Sequence, residues 1–82
     1  MRPFPGAALW KLQATHGVPL DMALVRLAQE GLVPTWLELF EAARKDGANL
    51  RRLHRAVQFF VTEAYGPPIA AAINSRLSLL SH

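Results

Sequence analysis

Cysteine is missing from this chain, and with it disulfides, thiolate nucleophiles and cysteine-ligated metal. Long apolar runs are missing too: none approaches the roughly 18 residues that a membrane span needs. The opening segment, Met1 to Lys11, has too short an apolar core for a signal peptide. No glycine-rich phosphate loop occurs and no serine stands in a nucleophile elbow. His16, His54 and His82 fall on separate segments without metal-ligand spacing. The paired carboxylates are Glu38 and Glu41, one turn apart on a predicted solvent face. No convergent catalytic site can be drawn from these residues. The expectation is a soluble, cytoplasmic, non-enzymatic protein with no catalytic residues, no cofactor and no metal.

Charge is also scarce. Charged residues make up 18% and apolar residues 51% of the 82, proportions of a folded chain and not of a disordered tail. Nine Lys plus Arg against six Asp plus Glu leave +3, too mild an excess for wholesale coating of nucleic acid. A chain of this length makes one domain, here residues 1–82, and buries roughly 60–65% of its surface on folding. Internal repeats and low-complexity tracts are absent.

What the sequence does have is regular punctuation. Gly17, Gly31, Gly47 and Gly66 each follow a helix-periodic segment, where a left-handed residue ends a helix. Pro19, Pro34, Pro67 and Pro68 stand at or just before the next segment, where a missing N–H costs little. The breaks predict an all-α bundle of five short helices with no strand. Met1 to Pro5 is expected as an extended arm, because Pro3 and Pro5 leave no room for regular structure.

The first helix is predicted over Gly6 to His16, with Leu9 and Leu12 inward and Trp10 at the core margin. The second spans about Pro19 to Glu30 and turns Leu20, Leu24, Leu27 and Ala28 to the core. Thr35-Trp36-Leu37-Glu38 reads as a capping box opening the third. Its stripe is Trp36, Leu39, Phe40 and Ala43, and Glu41 has Lys45 within i,i+4 reach. Asn49 is a good N-cap for the fourth helix. The fifth, about Ile69 to Leu80, has Ile69, Ile73, Leu77 and Leu80 as its inner stripe. Arg76 is its one charge, and a helix so poor in charge is buried deeply or covered by a partner.

The fourth helix is the segment around which the chain is organised. Leu50, Leu53, Val57, Phe60, Val61 and Ala64 fall on one stripe at about 100° per residue. The opposite face carries Arg51, Arg52, Arg55 and Phe59. Arginines in the first turns oppose the macrodipole, which favours acids there, and an aromatic among arginines is the residue mix of binding surfaces. Two plainer outcomes compete with a contact face. Arg51 or Arg55 can pair with Asp46 as ordinary surface charge, and the fifth helix or the arm can cover Phe59. His54, at the edge of the stripe, is expected as a packed, hydrogen-bonded histidine.

Ala43, Gly47 and Leu53 resemble the alanine, turn glycine and buried aliphatic of the bacterial helix-turn-helix motif, at that motif's spacing. The resemblance covers about twenty residues and departs from the motif at Asp46, where an apolar residue is preferred. It implies a recognition helix on which Arg51, Arg52 and Arg55 meet phosphates and guanine edges. Placing the motif instead around Gly31 to Pro34 would aim Glu38 and Glu41 at phosphates, which repel them.

The leading expectation is a binding or assembly module docking on a larger, acidic protein partner through Arg51, Arg52, Arg55 and Phe59. Nucleic-acid binding by the same arginines is the alternative, and self-association through 69–80 is a second candidate contact. The size is compatible with a phage or mobile-element accessory protein.

Overall fold

A computed structural model describes residues 1–80. Five helices form: α1 (Gly6–His16), α2 (Leu20–Gln29), α3 (Trp36–Lys45), α4 (Leu50–Tyr65) and α5 (Pro67–Leu80). The predicted breaks stand where the glycines are, and all four have positive φ. At the third, Gly47 is left-handed (φ 76°), its N–H donates to the Arg44 carbonyl at 3.0 Å and the Ala48 N–H to the Ala43 carbonyl at 3.0 Å, a Schellman closure. α5 starts at Pro67, two residues earlier than the periodicity suggests, because prolines fit the first turn, where the N–H is unpaired anyway.

The expectation of an irregular arm fails. The arm is regular: β1 (Arg2–Phe4) pairs in parallel with β2 (Leu32–Pro34), with Arg2 opposite Leu32 and Phe4 opposite Pro34. The expectation of no strand is therefore wrong between α2 and α3 as well as at the N-terminus. Three-residue strands have no period to detect, and the prolines that argue against regular structure are accommodated by register. In a parallel pair alternate residues bond to the partner. Arg2 N–H donates to the Gly31 carbonyl at 3.1 Å and Thr35 N–H to the Phe4 carbonyl at 2.9 Å. Arg2 and Phe4 thus face β2, and Pro3 lies on the outer edge. On β2 the alternation turns Leu32 and Pro34 away from β1. The Leu32 carbonyl accepts the Tyr65 hydroxyl at 2.8 Å, which ties the ribbon to the end of α4.

One hydrophobic cluster joins all five helices. α1 packs on α3, while α4 packs on both α2 and α5. Leu9, Leu24, Leu39, Val57, Val61 and Leu77 are fully buried. Some inward assignments shift. Phe60 and Leu12 are only half-buried, and Val61 takes the centre of the α4 stripe. On α5 the inner stripe is Ala70, Ile73 and Leu77, while Ile69 is 40% exposed. The Leu80 side chain lies outside the described residues.

The tightest approach involves the fifth glycine. Gly6 is buried, and a Cβ built on it would overlap the Thr35 carbonyl oxygen and the Leu39 amide nitrogen. Its N–H donates to Thr35 Oγ1 at 2.8 Å. The threonine hydroxyl therefore serves α1 and makes no cap bond to its own helix, which corrects the capping box. Local patterns cannot register a donor 29 residues away in sequence.

Candidate functional site

Asn49 fixes where α4 begins. Its Oδ1 accepts the Arg52 backbone N–H at 3.1 Å, so the first turn is closed as the N-cap rule requires. With that start, Leu53, Val57, Val61 and Tyr65 recur every four residues and are buried. The same phase points Arg51, Arg52, Arg55 and Phe59 outward, and all four are exposed. Phe59 is 64% exposed, so neither α5 nor the arm covers it. Its ring meets Phe60 edge-on at 6.0 Å, and half-buried Phe60 anchors it to the core cluster.

Among the described residues no acid pairs with these arginines. No acidic residue occupies the first turn of α4. Among the described residues the ion pairs are Arg26–Glu30 and Arg44–Glu41. The second replaces the expected Glu41–Lys45 contact. Asp46, the expected acid for Arg51 or Arg55, instead accepts the Trp10 indole N–H at 2.6 Å. That bond pins the end of α3 to α1 and engages the carboxylate that the sequence assigns to the patch. Asn49, Arg51, Arg52 and Arg55 surround a shallow cleft of about 280 Å³. Three arginines lining one cleft bring guanidiniums suited to bidentate pairing with carboxylate or phosphate.

His54 stands on the flank of α4 and is half-buried. Its Nε2–H donates to the Leu77 carbonyl at 3.2 Å, and its ring is 6.1 Å from that of Phe40. The imidazole joins α3, α4 and α5, as expected of a packed histidine. His16 is exposed at the end of α1, and His82 lies outside the described residues. No group of three His, Cys, Asp or Glu among the described residues is placed to hold a metal ion. Glu38 and Glu41 are exposed, and Glu41 is engaged by Arg44. No helix of the described residues is long and apolar enough to cross a membrane.

At the helix-turn-helix positions, Ala43 is fully buried, Leu53 is buried and Gly47 has φ 76°. The surrounding packing is less motif-like, since α3 meets α1 far more extensively than it meets α4.

A second feature escaped sequence reasoning. A groove of about 590 Å³ opens where β1, the start of α3 and α5 meet, lined in part by Met1, Val33, Trp36, Leu37, Ile69 and Arg76. Leu37 is 61% exposed. Its position off the Trp36–Leu39–Ala43 stripe was the available signal. No family model matches the chain, and neither a curated protein nor a solved structure matches it at a significant level.

Proposed function

We propose that this protein is a small non-enzymatic docking module that seats on an acidic surface of a larger protein assembly through Arg51, Arg52, Arg55 and Phe59. The observation that carries the reading is the unanswered state of this face. Three arginines without an ion pair among the described residues surround one cleft, one turn from an aromatic ring that is 64% exposed. The fold gains little from either: the arginines pair with no acid among the described residues, and Phe59 has the edge-on contact with Phe60 but stays mostly in water. Acids in place of Arg51 and Arg52 would favour the helix start by about 0.3–1 kcal/mol. Burying the exposed 64% of Phe59 is worth roughly 1–2 kcal/mol, an energy that a partner can collect here. Features that cost the fold and serve it little mark functional surfaces. Carboxylates of the partner meet the guanidiniums at the rim, and Phe59 supplies the apolar anchor.

The test is capture from a lysate. Arg52→Glu with Arg55→Glu should abolish capture while the melting temperature stays level or rises slightly. Phe59→Ala should weaken capture without altering its salt dependence. Full retention of the partner by both variants would make this face ordinary solvated surface.

The buried Ala43 and Leu53 with positive-φ Gly47 favour a second reading, in which the same arginines bind duplex DNA. Three phosphate contacts release counterions, so affinity would fall about 40-fold for a fourfold rise in salt. A protein partner anchored on Phe59 responds much less.

A further inference from the structure

We propose that the groove between β1, the start of α3 and α5 receives an amphipathic helix of a partner protein, its apolar stripe in the groove and an aspartate or glutamate on Arg76. None of its lining residues belongs to the α4 face, so the inference stands apart from the reading above.

The apolar content of the site is what the fold leaves unused. Leu37 and Met1 are 61% and 62% exposed. Ile69 was expected inside and is turned toward the groove, because Ala70 takes the core position on α5. At about 590 Å³ the groove falls within the range of roughly 300–1,000 Å³ typical of binding sites. A helix laid in such a groove presents the side chains at i, i+3 or i+4, and i+7 of one face.

Charge limits what the occupant can be. Arg76 is the one ionisable side chain among the lining residues, and it takes part in no ion pair among the described residues. A guanidinium beside apolar wall calls for a carboxylate from outside. A second copy of the chain is a poor candidate, because a two-fold contact would face like patch with like patch. With no acid in the lining, neither Arg76 would find a carboxylate on the facing copy.

Backbone geometry favours a helix over an extended peptide. An added strand needs N–H donors along a sheet edge. The outer edge of β1 has Pro3, and the far edge of β2 has Pro34 and a Leu32 carbonyl already bonded to Tyr65. Proline has no N–H to give. A helix satisfies its own backbone and asks only for side-chain contacts.

The experiment selects ligands from a displayed library of random peptides about 15 residues long, four helical turns, on the intact folded protein. The selected sequences should share apolar residues at helical spacing with an adjacent Asp or Glu. A synthetic peptide of the winning sequence should gain helical circular dichroism on binding. Arg76→Glu and Leu37→Lys should each weaken it roughly tenfold or more with unchanged melting temperature. Arg52→Glu with Arg55→Glu should leave it within about twofold, whether or not the α4 reading holds. Replacing the peptide's acid by lysine should restore binding to Arg76→Glu. Four results would overturn the proposal: no binder above background; binding indifferent to Arg76 and Leu37; binding lost with the α4 arginines; or selected sequences that are extended or proline-rich. A dimer of the protein alone, dissociated by Ile69→Lys in sedimentation, would award the groove to a second copy instead.

Discussion

Replacing Gly6 by alanine puts a methyl group where α1 meets the start of α3. The added carbon would overlap the Thr35 carbonyl oxygen and the Leu39 amide nitrogen. Both are backbone atoms, so no side chain can rotate to make room. Relief requires α1 to lift off α3, and overpacking of this kind costs about 1–3 kcal/mol. The lift also stretches the 2.8 Å bond from Gly6 N–H to Thr35 Oγ1, worth ~0.5–1.5 kcal/mol. Against this stands the helix preference for alanine over glycine, at most ~1 kcal/mol and less at a helix start. The loss wins, by roughly 2–3 kcal/mol, against a total stability on the order of 5–10 kcal/mol. For a chain this short that corresponds to a melting temperature lowered by about 8–24 °C. Urea unfolding followed by circular dichroism should show a lower midpoint at unchanged slope. Gly17→Ala is the control: nothing lies within 4 Å of its Cβ, so it bears only the left-handed φ penalty of about 1–2 kcal/mol. A Gly6→Ala midpoint at or above wild type would refute the close-packing argument.

Two further outcomes follow from burial. Leu77 is fully buried and Phe60 only half-buried. Leu77→Ala should therefore cost ~2–5 kcal/mol and Phe60→Ala less than the ~3–5 kcal/mol of a fully buried phenylalanine; denaturant melts showing Phe60→Ala as clearly the worse would invert the assigned core. Burial pushes the Tyr65 hydroxyl up from 10.0 to about 12, which favours the protonated form in the folded state. Its contribution is fully present below pH 10 and is lost as pH rises from 10 towards 12, by about 1–3 kcal/mol. Tyr65→Phe should abolish that alkaline step in a stability–pH series; an equal step in both proteins would assign it elsewhere.

The helices were legible because Gly17, Gly31, Gly47 and Gly66 act locally: a positive φ ends a helix whatever surrounds it. The outward phase of Arg51, Arg52, Arg55 and Phe59 was legible for the same reason, since one amphipathic period orients both faces of α4. The misread features all depend on distant residues. The β1–β2 pairing joins segments 30 residues apart in register, and Thr35 was recruited by Gly6. Asp46 was recruited by Trp10, which left the α4 arginines without the acid that local reading assigned to them. The apolar groove follows from tertiary arrangement alone. Helical spacing puts Ile69 on the core stripe, but packing gives that place to Ala70.

The most direct test of the α4 face is amide-shift mapping of the isotope-labelled protein as the captured partner is added. The expected result is that the largest shifts cluster at Arg51, Arg52, Arg55, Phe59 and their outward neighbour Thr62, and vanish in Arg52→Glu with Arg55→Glu. Shifts confined to Leu37, Ile69 and Arg76, with α4 unmoved, would contradict it.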